Sequence, residues 1–276
     1  MTLAVCATPI GNLEDVTLRV LATLRDADVV LCEDTRRTKI LLDRHGIDAS
    51  LVSYHRHNEA QRTAEILPRL ERGELVALAS DAGLPGVSDP GGRLIEAALA
   101  AALEVTVLPG PSAVETALVA SGLGFGSRGY RFVGYLPRAP RAVADALASL
   151  TGDEAVVAFE SPQRLPTTLA ALAERWPERT VAVCRELTKR FEEVVRGRAH
   201  EVANRFAEPP KGEITLVIGG VGVPEREAEG PARISDQEAA AAVAELVAGG
   251  VARRRAADVV ARLTGKSRNR LYRASL

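Results

Sequence analysis

Short apolar runs and helically spaced stretches alternate along the chain from its first residues. Leu3–Ala7 is a compact apolar run ending in the turn-forming residues Thr8, Pro9, Gly11 and Asn12. From Asp15 to Asp26 the spacing predicts a helix, with Val16, Val20, Leu21 and Leu24 on one face. Strand-like runs recur at Val29–Cys32, Leu75–Ala79 and Val105–Leu108, and helical patterns occupy Asn58–Glu71 and Gly92–Ala102. Strands alternating with helices predict parallel pairing through right-handed crossovers. In such a sheet the loops at the carboxyl ends of the strands bind ligands.

The pattern changes beyond the glycine-rich stretch Ser121–Gly129. Strand-like runs follow at Arg131–Tyr135, Ala155–Phe159, Thr180–Cys184, Glu193–Val195 and Ile214–Ile218, with fewer long helices between them, which predicts a mixed sheet. Gly222–Ser235 is polar, carries two prolines and reads as a linker. Asp236–Leu276 is alanine-rich with helical spacing. The expected organisation is therefore an N-terminal α/β domain over residues 1–120 and a second α/β domain over 121–221. A linker over 222–235 and a small helical domain over 236–276 complete it.

Composition adds limits. The 276 residues are 46% hydrophobic and 26% charged, ordinary for a globular protein of two compact domains. No run approaches the roughly eighteen apolar residues of a membrane span, and the N-terminus lacks the basic start of a secretory signal. Cys6, Cys32 and Cys184 are odd in number, widely spaced and set in strand-like runs, so they read as buried apolar residues in a reducing cytoplasm. The net charge of −1 conceals an asymmetry: Val251–Leu276 holds eight basic residues against Asp258 alone, a net of +7, leaving −8 on the rest. Arg253, Arg254, Arg255, Lys266, Arg268 and Arg270 are the candidate RNA-binding residues of this tail, against the plainer reading of a solvated helix face.

Three glycine- and proline-rich loops carry the chemical signal. Ser80–Gly92 (SDAGLPGVSDPGG) places four glycines and two prolines in thirteen residues, fixing a backbone path on which a ligand can lie. Thr8–Asn12 (TPIGN) follows the first strand-like run. Pro109–Ala113 (PGPSA) follows the fourth and leads into a helix start suited to an anion. Parallel pairing brings all three to one sheet edge. None matches GxxxxGK[ST] or GxGxxG, which weakens nucleoside-triphosphate and nicotinamide readings. His55 and His57 lie two apart with only Glu59 close by, too few ligands to predict a metal site.

The blocks TPIGN, EDTRRT, YHRHNE, SDAGLPGVSDPG, PGPSA, FVGYLPR, FESPQRL, RELTK and GEITLVI occur in that order from about Ala4 to Ile218. Together they resemble the branch of the tetrapyrrole-methylase-like superfamily that methylates small-subunit ribosomal RNA. The resemblance implies a two-domain class III methyltransferase fold with a small C-terminal helical appendage, S-adenosylmethionine in the cleft, and a homodimer. It implies 2′-O-methylation of a cytidine ribose in the decoding region of 16S rRNA within the 30S subunit. Carried over by motif, Pro9, Ile10, Asp81, Leu84, Ser112, Ala113, Ser161 and Gly212 should touch the cofactor. Gln163 stands where the family pattern leads one to expect histidine.

A ribose hydroxyl is a poor nucleophile, so a base or a charge-stabilising cation is useful. Candidate catalytic groups cluster in three blocks expected to border the cleft: Glu33, Asp34 and Arg36; Glu160 and Arg164; Glu186 and Lys189. The competing reading makes these interdomain salt bridges. Two other functions remain open at this level, methylation of a small tetrapyrrole and a non-catalytic RNA-binding assembly factor.

Overall fold

The computed structural model describes residues 2–124, 129–139, 142–143, 145–146, 153–220, 236–264 and 266–275. The chain divides into two compact units, Met1–Val223 and Pro224–Leu276. The expected linker falls outside the described residues, as does part of the glycine-rich stretch before the second sheet.

The first sheet contains β1 (Leu3–Cys6), β2 (Val29–Cys32), β3 (Leu51–Ser53), β4 (Val76–Ala79) and β5 (Val105–Leu108). All pairings are parallel, in the order β3-β2-β4-β1-β5. Strands β1, β2 and β4 are buried at every position, as central strands covered on both faces must be. Alternate side chains serve opposite cores. Leu3, Val5, Val29, Leu31 and Leu78 pack against Ile66 and Leu70 of α3 (Glu59–Glu71) and Leu94 of α4 (Gly92–Ala100). Ala4, Cys6, Val30 and Ala77 face Val20 and Leu24 of α1 (Leu18–Asp26) and Leu42 of α2 (Thr35–Arg44).

Two details differ from the sequence reading. A 3-10 turn at Leu13–Asp15 precedes α1, whose N-cap is Thr17, its hydroxyl accepting from the Val20 amide at 3.2 Å. The short, half-buried β3 leaves no periodic signature, so the PGPSA loop follows the fifth strand rather than the fourth.

The second sheet comprises β6 (Tyr130–Tyr135), β7 (Ala155–Glu160), β8 (Thr180–Arg185), β9 (Glu193–Arg198) and β10 (Ile214–Ile218), in the order β6-β7-β10-β8-β9. It is mixed, as the pattern predicts: β6 and β7 run parallel and the other pairs antiparallel. One face packs on α6 (Leu165–Arg175) and α7 (Ala199–Arg205), through Leu165, Leu169, Leu172 and Val202. The other face receives Val114 and Ala117 of α5 (Ala113–Ser121), with Ile10 from the first loop and Leu187 in the same cluster. This shared core joins the two sheets into one unit.

All three cysteines are buried, and burial pushes the Cys6 and Cys184 thiols up to about 12 and raises that of Cys32. Among its described residues the second unit contains α8 (Asp236–Ala248), α9 (Arg253–Thr264) and α10 (Arg268–Ala274), closed around Ala239, Val243, Ala257, Val260 and Leu271. No helix among the described residues is long and apolar enough to cross a membrane.

Candidate active site

The carboxyl ends of β1, β4 and β5 meet, and their loops are tied together. Thr8 and Gly83 exchange backbone hydrogen bonds of 2.8 and 3.0 Å, and the Thr8 hydroxyl donates to the Ser80 carbonyl at 2.9 Å. Gly110 passes so close to the first loop that an added Cβ would stand 2.9 Å from the Ala7 methyl, so the chain needs glycine there. The first loop also meets the second sheet. The Asn12 amide donates to the Thr188 hydroxyl at 3.0 Å, and a Cβ on Gly11 would collide with Lys189 and Thr188.

Between these loops and the second sheet lies a cavity of about 900 Å³, within the range of sites for small ligands and cofactors. Ile10, Asp81, Leu84, Ser112 and Ala113 line it from the first half, and Ser161 and Gly212 from the second. These are seven of the eight residues expected at the cofactor; Pro9 is buried and does not reach the wall. Tyr130, Phe132, Tyr135 and Phe159 add an aromatic side, with Phe132 and Phe159 edge to face at 5.0 Å between ring centres.

The expected catalytic residues are placed differently. Glu160 lines the cavity, but its carboxylate is fully buried and already engaged. It accepts from the Thr168 hydroxyl at 2.6 Å and the Ser161 amide at 2.6 Å, and pairs with Arg164 at 2.5 Å. Arg164, off the wall, also donates to the carbonyls of Leu136 and Pro137. Glu186 and Lys189 form a turn brace outside the cavity wall. The Lys189 ammonium sits 3.0 Å from Glu186 and 2.8 Å from Glu213, while Glu186 accepts the Glu213 amide at 2.9 Å. That amide bond, with Lys189, holds the Glu186 carboxyl below its ordinary range. Burial works against the Lys189 ammonium, but Glu213 and Glu186 outweigh it and raise its pKa.

Asp34 and Arg36 are also off the wall. Asp34 caps α2, accepting the Arg36 amide at 2.9 Å, and forms a two-bond pair with the Arg36 guanidinium, 88% exposed. Those bonds from Arg36 hold Asp34 down at about 2. The expectation that all three blocks border the cleft is thus met by Glu33 and Glu160 alone. Gln163 is exposed and off the wall.

Charged groups that the sequence reading did not single out line the cavity as well. Asp89, the second aspartate of the long loop, and Arg37, next to Arg36 in EDTRR, both do so. Burial, then the carboxylates of Glu33 and Asp81, push Asp89 up to about 6, with Arg56 opposing. Burial and Asp81 likewise raise Glu33, against Arg56, His55 and Arg37. Asp81 itself accepts the Asp34 amide at 3.0 Å and stands 3.5 Å from Arg37. The rings of His55 and His57 meet edge to face at 5.9 Å, and no group of three ligating side chains forms among the described residues.

Residues 2–203 match the family model for tetrapyrrole (corrin/porphyrin) methylases. The chain belongs to the tetrapyrrole methylases. Among its relatives, "Ribosomal RNA small subunit methyltransferase I" of Mesorhizobium japonicum is 43% identical over 98% of this chain and 90% of that protein. The protein of the same name from Pasteurella multocida is 36% identical over 99% of this chain and 96% of its own length. Among solved structures, uroporphyrin-III-C-methyltransferase from Thermus thermophilus superimposes with a TM-score of 0.56 at 24% identity, over 79% of this chain and 94% of that one. Cobalt precorrin-4 methyltransferase gives 0.58 at 16% identity over 79% and 94%. These two show a shared fold.

Methyltransferases of this family use S-adenosylmethionine, and the residues of this tetrapyrrole methylase fit it. Gly83, at φ +81°, and Gly110 bring bare main chain to the cavity. Such a floor lets a flat ligand approach closely. Asp81 offers a carboxylate to ribose hydroxyls or an ammonium group, and the aromatic side supplies apolar contact.

Proposed function

We propose that this methyltransferase places a methyl group on the 2′-hydroxyl of a cytidine ribose in the decoding region of 16S rRNA, within the 30S particle. The reading is supported chiefly by near-full-length similarity to proteins named "Ribosomal RNA small subunit methyltransferase I". When bound, the cofactor supplies a methyl group already activated by its positively charged sulfur. The work left to the chain is alignment, exclusion of water and management of one proton. Ile10, Asp81, Leu84, Ser112, Ala113, Ser161 and Gly212 hold the cofactor. The aromatic side of the cavity keeps water from the reacting atoms.

In this reading residues 1–120 and 121–221 form the cleft, and the active protein is a homodimer. Residues 236–276 hold RNA through Arg253, Arg254, Arg255, Lys266, Arg268 and Arg270. Of these, Arg254, Arg255, Arg268 and Arg270 are exposed. Arg253 is partly buried and donates to the Ser275 carbonyl.

The test is methyl transfer from labelled cofactor to purified 30S particles that lack the modification, with mapping of the product. A single ribose-methylated cytidine is expected. Transfer to a porphyrin precursor instead would give the protein the chemistry named for its structural neighbours. Cofactor binding without transfer to either would make it a non-catalytic RNA-binding factor.

A further inference from the structure

Carboxylates differ sharply in what they have left to offer. Those of Glu160, Glu186, Asp34 and Asp81 are each engaged by hydrogen bonds or ion pairs. The carboxylates of Asp89 and Glu33 have neither a hydrogen bond nor an ion pair to any described residue, although both line the cavity. An acceptor for a substrate proton must have a free lone pair facing the reaction space.

The chain holds Asp89 there at some cost. Ser88 adopts φ +67°, a left-handed conformation that a serine rarely takes. The Arg56 guanidinium clamps this turn, donating to the Ser88 carbonyl at 2.8 Å, and the Gly86 amide closes it onto the Pro90 carbonyl at 3.2 Å. Strain held in place by outside contacts marks positions where orientation matters. The charged and titratable groups that face Asp89 are Glu33 after β2, Asp81 after β4, Arg56 before α3 and, across the cavity, Tyr135 of β6. Burial and the Asp81 carboxylate raise Glu33 too, but three basic groups, Arg56, His55 and Arg37, also face it and suit it to the role of a counter-ion.

Resting on the ribose-methylation reading, we infer that Asp89 is the general base that takes the proton from the acceptor hydroxyl. The acceptor oxygen forms its bond to the methyl carbon as the carbon–sulfur bond breaks, and that bond's electron pair leaves on sulfur, now a neutral thioether. The hydroxyl proton passes to the Asp89 carboxylate, so one positive and one negative charge are cancelled together. A base that titrates near neutrality combines availability with driving force, and burial of Asp89, then its crowding by Glu33 and Asp81, moves it toward that range.

The experiment is single-turnover methylation of unmodified 30S particles by the full chain and by Asp89→Asn, across pH 5 to 9, with cofactor affinity from calorimetry. The wild-type rate should rise with pH through an inflection near 6 and then level off. On the plateau the variant should be slower by at least about a hundredfold, the low end of general-base contributions. It should lack the inflection and bind cofactor as the wild type does. Wild-type rates in the variant, an inflection that survives in it, or a rate loss matched by lost cofactor affinity would each overturn the proposal. The wild-type profile tests it without any variant, since a flat profile across that range also overturns it. If the wild type transfers no methyl to 30S particles, the ribose reading fails and the proposal with it. Transfer with an unaffected variant refutes Asp89 alone.

Discussion

On the second-sheet side, Glu160 is buried under Thr168, the Ser161 amide and Arg164, and Glu186 and Lys189 brace a turn outside the cavity wall. In the first half, Asp89 and Glu33 stand in the cavity with no hydrogen bond or ion pair among the described residues. Similar acid and base residues thus serve opposite ends. Charge that is fully partnered holds backbone in place and has little left for a substrate. Charge that is buried and set among its own kind stores free energy that a substrate proton can release. The sequence pattern of mixed acids and bases is the same in both cases. The difference lies in which neighbours the fold delivers.

The largest expected effect tests the structural side of this contrast. Glu160→Ala leaves the Arg164 guanidinium without its buried partner and should lower stability by about 3 kcal/mol, measured by urea unfolding. A loss below about 1 kcal/mol would show that the pair is loosely held. Next is the wall residue with a shared role. Asp81→Ala should weaken S-adenosylmethionine by about 1–3 kcal/mol in calorimetry, the cost of leaving a polar partner unpaired. Unchanged affinity would reduce Asp81 to a turn former that receives the Asp34 amide.

Smaller again is the effect of Asp89 on the resting protein. Its carboxyl titrates near 6 in the fold against an ordinary 3.8, so the folded protein binds that proton more tightly than the unfolded chain. Stability is therefore lost as pH rises from about 4 through about 6. Asp89→Asn should be more stable than wild type at pH 7 by roughly 1 kcal/mol, after allowance for solvent screening, and equal to it near pH 4. Equal stability at both pH values would show that neither burial nor its acidic neighbours raise the Asp89 carboxyl. The smallest effect on the cleft is expected from removing Asp236 onward. Cofactor affinity should be unchanged, while RNA binding weakens and its salt slope falls by roughly one for each phosphate the tail no longer neutralises.

The first sheet was largely legible in the sequence. Strands β1, β2, β4 and β5 are short apolar runs, three of them leading into loops rich in glycine and proline, and buried parallel strands leave that signature. Strand β3 was not, because Leu51–Ser53 is three residues long and only half buried. The cavity wall could be anticipated because Gly83, Gly110 and Gly212 lie in loops whose backbone must pass close to something. Side-chain roles could not, because Glu160 and Asp89 are both acids set near prolines. Only the fold delivers Thr168 and Arg164 to one and Glu33 and Asp81 to the other. Asp89 nonetheless lay inside the densest motif of the chain, where a second carboxylate in a loop of fixed path is a signal in itself.

The burial of Cys6, Cys32 and Cys184, with thiols raised away from their reactive form, also has a practical meaning. Thiolate, the species that dyes and spin labels attack, is scarce at all three near neutral pH. The native chain should therefore stay dark under maleimide treatment while folded. A cysteine introduced at the exposed positions Leu18 of α1 or Leu263 of α9 would then carry the only dye, so movement of either region during encounter with the ribosomal particle can be followed without altering a residue of the site.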